Sequence, residues 1–281
     1  MRSLDPPRVT SAQVLELCLL ATTDAELQSR LDAVTTLLEQ TATSYDANAV
    51  AETLDLIPRI TSVGAVTKAE LIALYYDHFS ATNGAAKTIY DQIRNAAPNK
   101  KCPLCGIGTV ATLDHHLPKS KYPDLSIVPS NLVPACHFCN DKKRARYPRN
   151  RGEQTLHPYF DNRLLNSRWV KASLHQGPPP VLIFTASPPV TWPMIDRERV
   201  QRHFTVCGLA ITFASNGNDE LSLLRDRLLM LGQRGGTAAV RGFLEEEVSM
   251  YCPRQNCWQL SMYEALVSDT WFINGGFRLI A

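Results

Sequence analysis

The 281-residue chain has no long hydrophobic run, and no stretch approaches the roughly 20 apolar residues that span a bilayer. Its longest early apolar run, residues 14–21, is interrupted by Glu16 and preceded by Pro6 and Pro7, which excludes the unbroken core of a secretion signal. A cytoplasmic protein without a membrane partner is the expectation. The chain also lacks internal repeats and low-complexity linkers, so its flanks are expected to pack on its middle rather than swing freely. Charge imbalance is absent too: the formal net charge is only +2, and by itself it says nothing about nucleic acid. The 44% hydrophobic and 20% charged residues are ordinary for a soluble globular protein. The length allows about two domains.

What the totals hide is the distribution. Residues 100–151 carry ten Lys or Arg against three Asp, a local excess of seven positive charges, which leaves the remainder five negative. A cationic segment on a slightly acidic chain is the footprint of a phosphate-binding surface. The same segment holds four of the eight cysteines, as Cys102-x2-Cys105 and Cys136-x2-Cys139. Without a secretory signal, paired spacing favours a metal over disulfides, and four thiolates are what a closed tetrahedral zinc site requires. The 30 residues between the pairs then become a closed loop. Structural zinc contributes on the order of 10 kcal/mol to such a unit. His137, between the second pair, reads as an exposed knuckle residue. Cys18 and Cys207 sit in apolar contexts and read as buried thiols, whereas Cys252 and Cys257 have no second pair to complete a metal site.

Three regions follow. Residues 1–99 have helical periodicity, with apolar Leu27, Leu31, Val34, Leu37 and Leu38, punctuation at Pro58 and Gly64, a capping box at Thr67-x-x-Glu70, and a helix near 85–97 stopped by Pro98. With seven basic and twelve acidic residues this region is expected to scaffold or bind a partner rather than touch DNA, and Tyr75, Tyr76 and His78 are assigned to packing. Residues 100–151 form the zinc-bound core. Residues 152–281 contain one proline-fenced strand in PPVLIFTAS and helices near 194–206, 219–231, 237–251 and 258–268, the middle two separated by Gly235 and Gly236. The fold class is α+β.

Inside the zinc loop, 109–113 reads as a strand leading into Asp114-His115-His116-Leu117-Pro118. A second strand-like run, 126–133, contains Asn131, and the basic segment from Asn140 reads as a helix. Strand, strand, helix with an oxygen donor at each end can hold one hydrated divalent ion over a phosphate: a carboxylate oxygen from Asp114 and an amide oxygen from Asn140. His115, with an ordinary pKa of about 6.5, can take a proton from water, and Asn131 can orient it.

The pattern C-x2-C, DHxxPKS and NLVPAC-x2-CN-x2-K resembles the HNH, or His-Me finger, endonucleases with a structural zinc. The resemblance covers about a sixth of the chain. It implies a ββα-metal finger embedded between mainly helical regions. His115 is then the general base, Asp114 and Asn140 the ligands of a catalytic Mg²⁺ or Mn²⁺, and Asn131 the residue that positions the histidine and its loop. Lys143 matches the basic position after the last motif residue. Asn140 stands where many relatives have histidine, which favours magnesium or manganese over zinc at the catalytic position. His116 leaves a frame ambiguity, decided for His115 by Pro118, four residues after Asp114.

The implied activity is hydrolysis of DNA to 5′-phosphate and 3′-hydroxyl ends, with Lys119, Lys121, Lys142, Lys143, Arg144 and Arg146 as backbone contacts. HPYFD at 157–161 and the terminal WQLSMYEAL resemble a bacterial group of HNH proteins, some linked to phage defence with an ATPase or sensor partner. His157, Trp258 and Tyr263 read first as packing residues. The alternatives are a ribonuclease of the same fold, a zinc-stapled nucleic-acid-binding module, and a regulatory subunit silent on its own.

Overall fold

A computed structural model describes residues Met1–Ala281 and divides them into two compact units, Met1–Asn162 and Arg163–Ala281. The α+β class holds: helices predominate, and the three sheets are antiparallel pairs.

The first unit begins with three helices, α1 (Ser11–Ala21), α2 (Ala25–Asp32) and α3 (Thr35–Val50). Asp24 caps α2 by accepting from the backbone N–H groups of Glu26 and Leu27, and Thr10 and Gln13 form a capping box on α1. A minimal hairpin, β1 (Ser62–Val63) and β2 (Val66–Thr67), leads into α4 (Lys68–Ala73) through the expected Thr67–Glu70 capping box. Glu70 also receives the guanidinium fork of Arg30 at 2.7 and 3.0 Å, which ties α4 to α2 and, with the Thr67 bonds, holds its carboxyl down to about 2. From Leu74 to Ser80 the chain continues as a π-helix, and α5 (Lys87–Asn95) follows.

The motif strands are β3 (Thr112–His115) and β4 (Leu132–Ala135), antiparallel with Asp114 opposite Val133 and His115 opposite Leu132. Both lie two to six residues further along the chain than the composition indicated, because the pairing is set by what the strands bury. Leu113, Ile127 and Leu132 share one core with Val14, Leu15, Leu31, Leu71, Phe79 and Ile93 of the helices. Leu117, Tyr122, Leu125 and Val128, in the loop joining the strands, share a second with Ala42, Tyr45, Ala49 and Leu54. After β4 comes α6 (His137–Lys143).

The second unit is built on the hairpin of β5 (Val170–His175) and β6 (Val181–Ala186). The fenced strand is β6; its partner β5, VKASLH, alternates apolar and polar residues along its length but was not expected from the sequence. The helices are α8 (Met194–Val206), α9 (Leu209–Tyr251) and α10 (Trp258–Ser268), after a short α7 (Asn162–Leu165). The helical register of α9 breaks at Gly235 and Gly236, the latter at φ 63° and ψ −155°, a conformation open only to glycine. Asn256 accepts from the backbone of Trp169 and Val170 and donates to the carbonyls of Leu165 and Ser167, anchoring the start of β5.

Asp124 is a buried acid beside a small apolar cavity lined by Leu15, Leu38, Leu71 and Leu74. Burial pushes its carboxyl up to about 6, against the pull of backbone N–H groups at 124 and 125. An unfolded aspartate ionises near 4, so the folded chain holds the extra proton between roughly pH 4 and 6, and stability falls as pH rises through that window. Asp124→Asn is expected to gain on the order of 2 kcal/mol over the wild type above pH 6 and nothing at pH 4. Urea denaturation of both chains at the two pH values checks this, and an equal difference at both would refute it.

Candidate functional site

The four expected zinc ligands come together. Cys102, Cys105, Cys136 and Cys139 are buried, and their sulfurs all lie within 4.8 Å of one another. The Cys105 and Cys136 sulfurs are 3.9 Å apart, close to the edge of about 3.8 Å of a tetrahedron with zinc–sulfur bonds of about 2.3 Å. Two knuckles build the cluster. In the first, the N–H of Gly106 donates to the Cys102 carbonyl, that of Cys102 to the Gly108 carbonyl, and that of Gly108 to the Cys105 sulfur at 3.3 Å. In the second, Cys136 caps α6 by accepting from the Cys139 N–H. Gly108 leaves room for this: a Cβ there would stand 2.7 Å from both Cβ and Sγ of Cys136. Hydrogen bonds among the thiols, that between Cys102 and Cys105 first, hold Cys105 well below its usual range and raise Cys102. These cysteines can hold a zinc ion.

Beside the cluster, β3 and α6 meet through charge. Lys143 and Asp114 are 3% and 4% exposed, and the ammonium reaches both carboxylate oxygens, at 2.9 and 3.2 Å, and the His115 carbonyl at 2.6 Å. Lys143 therefore does not belong to the surface phosphate contacts: the backbone and Asp114 surround it. Asn140 lies three residues earlier on α6, almost one turn, and so on the same helix face as Lys143; it is half-buried.

His115 is buried and points its Nε2 at the Ser126 carbonyl, 2.8 Å away. A carbonyl can only accept, so in the neutral ring Nε2 carries the hydrogen and Nδ1 the lone pair. Burial, followed by the charge of Lys119, pushes its pKa down to about 3, and the imidazole is neutral at pH 7. Asn131 is fully buried. It accepts from the Leu117 N–H at 2.7 Å and donates to the carbonyls of Leu117 and Leu125, and its own carbonyl takes the His116 N–H. It grips the backbone on both sides of the turn after the histidines, which is a positioning task.

The remaining basic residues separate. Lys121, Lys142, Arg144 and Arg146 are exposed, Arg146 bonding back to the Lys142 carbonyl. Lys119 is half-buried against the rings of Tyr75 and Tyr76. His137 is exposed.

Two groups of residues join the site from outside the motif. Tyr75, assigned to packing, sets its ring against His115 at 4.6 Å between centroids. His157 lies against His116 with ring centroids 4.1 Å apart and planes tilted by 36°, faces the Tyr45 hydroxyl with Nε2 at 3.0 Å and accepts the Tyr159 N–H at Nδ1. Asp161 accepts the His157 N–H, so HPYFD folds as a buried polar cap on His116. The only sequence signal was the density of polar and aromatic residues in HPYFD.

Cys102→Ser is expected to lower zinc below one ion per chain and lower the melting temperature, and Gly108→Ala to do the same by displacing Cys136. Elemental analysis with thermal denaturation checks both; a Cys102→Ser chain with full zinc and unchanged melting would place the metal elsewhere.

No protein-family model matches this chain, and no solved structure matches it. It is similar to protein ea31 of Escherichia phage lambda, 29% identical over 234 residues that cover 78% of this chain and 79% of the phage protein.

Proposed function

We propose that the chain is a metal-dependent endonuclease of the HNH type that hydrolyses DNA phosphodiester bonds, with His115 as the general base. The observation that carries this reading is the hydrogen bond from His115 to the Ser126 carbonyl, which sets the tautomer of the neutral ring so that Nδ1 carries the lone pair. In this reading, Nδ1 takes a proton from water as the water oxygen bonds to phosphorus. The bond to the 3′-oxygen breaks, and that oxygen takes a proton from solvent. Asn131 keeps the histidine loop in register, and Lys143 ties α6 to β3.

Asp114 and Asn140 offer hard oxygen donors of the kind that suits Mg²⁺ or Mn²⁺. When bound there, such an ion would stabilise charge on the phosphate and on the departing oxygen. The exposed Lys121, Lys142, Arg144 and Arg146 supply the phosphate contacts.

A second reading, a nucleic-acid-binding effector silent until a partner docks, is favoured by the 5% exposure of His115: attacking water needs a path to Nδ1. An ATPase or sensor partner and a role in anti-phage defence belong to that reading. RNA is the alternative substrate for both.

Purified protein with Mg²⁺ or Mn²⁺ is expected to nick supercoiled plasmid, and His115→Ala to be slower by about 10²- to 10⁴-fold while keeping its zinc. Equal nicking by the variant would remove His115 as the base. Binding of DNA without cleavage by the wild type would select the silent effector, and cleavage of tRNA alone would select a ribonuclease.

A further inference from the structure

The helical N-terminal region, acidic as a whole, delivers one feature to the edge of the motif that packing does not explain. Tyr76 is 54% exposed, yet it stands beside Tyr75, which is buried against His115. The two rings are 5.4 Å apart at 79°, and Lys119 places its ammonium 4.8 Å from the centre of one and 5.0 Å from the other. In an α-helix successive side chains diverge by about 100°. The π-helix from Leu74 to Ser80 winds less per residue, so both tyrosines reach the same lysine. π-Helical turns are uncommon and concentrate at functional sites.

We infer that Tyr76 and Lys119 form a subsite that stacks an unpaired nucleobase next to the scissile phosphate. Lys119 lies over one face of the exposed Tyr76 ring, so a nucleotide would set its base on the opposite face and its phosphate at the ammonium. The subsite is continuous with the candidate centre, because Lys119 follows the His115 turn at Pro118 and Tyr75 links the Tyr76 ring to the His115 ring. Charge complementarity points the same way: exposed Lys121 lies two residues beyond Lys119. A ring stacks on a base only if that base is out of a duplex, so the occupant is a single-stranded or locally unpaired segment. The inference rests on the nuclease reading and narrows its substrate.

The test uses the full-length zinc-loaded chain and a short fluorescein-labelled single strand, with binding read by anisotropy in Ca²⁺ and cleavage in Mg²⁺. Tyr76→Ala is expected to weaken binding about ten-fold, the size of one lost base stack, and to raise KM with kcat little changed. Tyr76→Phe and Tyr76→Trp are expected to bind like the wild type. A strand abasic at the stacked position is expected to weaken wild-type binding by the same factor and to make Tyr76→Ala no worse. Lys119→Gln should flatten the salt dependence of binding by about 0.7 in log–log slope. Unchanged binding by Tyr76→Ala, losses that add between that variant and the abasic strand, or an equal loss on fully paired duplex would each overturn the subsite while leaving the nuclease reading in place. A wild-type chain that neither binds nor cuts nucleic acid would overturn both.

Discussion

The buried pair of Lys143 and Asp114 is the contact on which the site depends. Two opposite charges meet there almost without water, and the ammonium is completed by the His115 carbonyl. Stranding either partner would cost several kcal/mol, so the pair is tolerable only with its geometry intact. That geometry sets the last turn of α6 against the end of β3. Asn140 rides on the same helix and His115 on the same strand. A lysine that composition alone would place on the surface thus becomes the internal brace of the centre.

Two further constraints keep the brace in place. The cysteine cluster closes the chain behind β3 and in front of α6, where Gly108 admits Cys136. At the other end the Asn131 amide spans the turn between Leu117 and Leu125. Strands of four residues could not hold this register alone, and Leu113 and Leu132 bury their side chains among the N-terminal helices. The N-terminal helices therefore supply much of the core on which the two strands rest.

Burial also decides the chemistry available to the histidines. His115 is kept neutral by apolar surroundings and by nearby Lys119, with its tautomer chosen by one carbonyl. His116 is covered instead by His157, whose nitrogens are engaged with Tyr45 and the Tyr159 backbone. Adjacent residues in a strand point to opposite faces, and here the two faces are a lysine-flanked aromatic wall and a polar cap. No helix of the chain is long and apolar enough to cross a membrane, as the absence of long apolar runs implied.

Much of the centre was legible because it is local. Cysteine spacing, capping boxes, the glycine break in α9 and the order Asp114-His115, Asn131, Asn140 are short-range patterns, and short-range chemistry acts through residues close in the chain. The sequence by itself determined the four-cysteine cluster, the helical flanks and the cationic middle. Only the tertiary structure decided that Lys143 is buried, that Tyr75 and Tyr76 face the motif, that His157 caps His116, and that β5 pairs with β6. Those outcomes turn on which surfaces lose water together, and that is set by packing between segments as much as 112 residues apart in the chain.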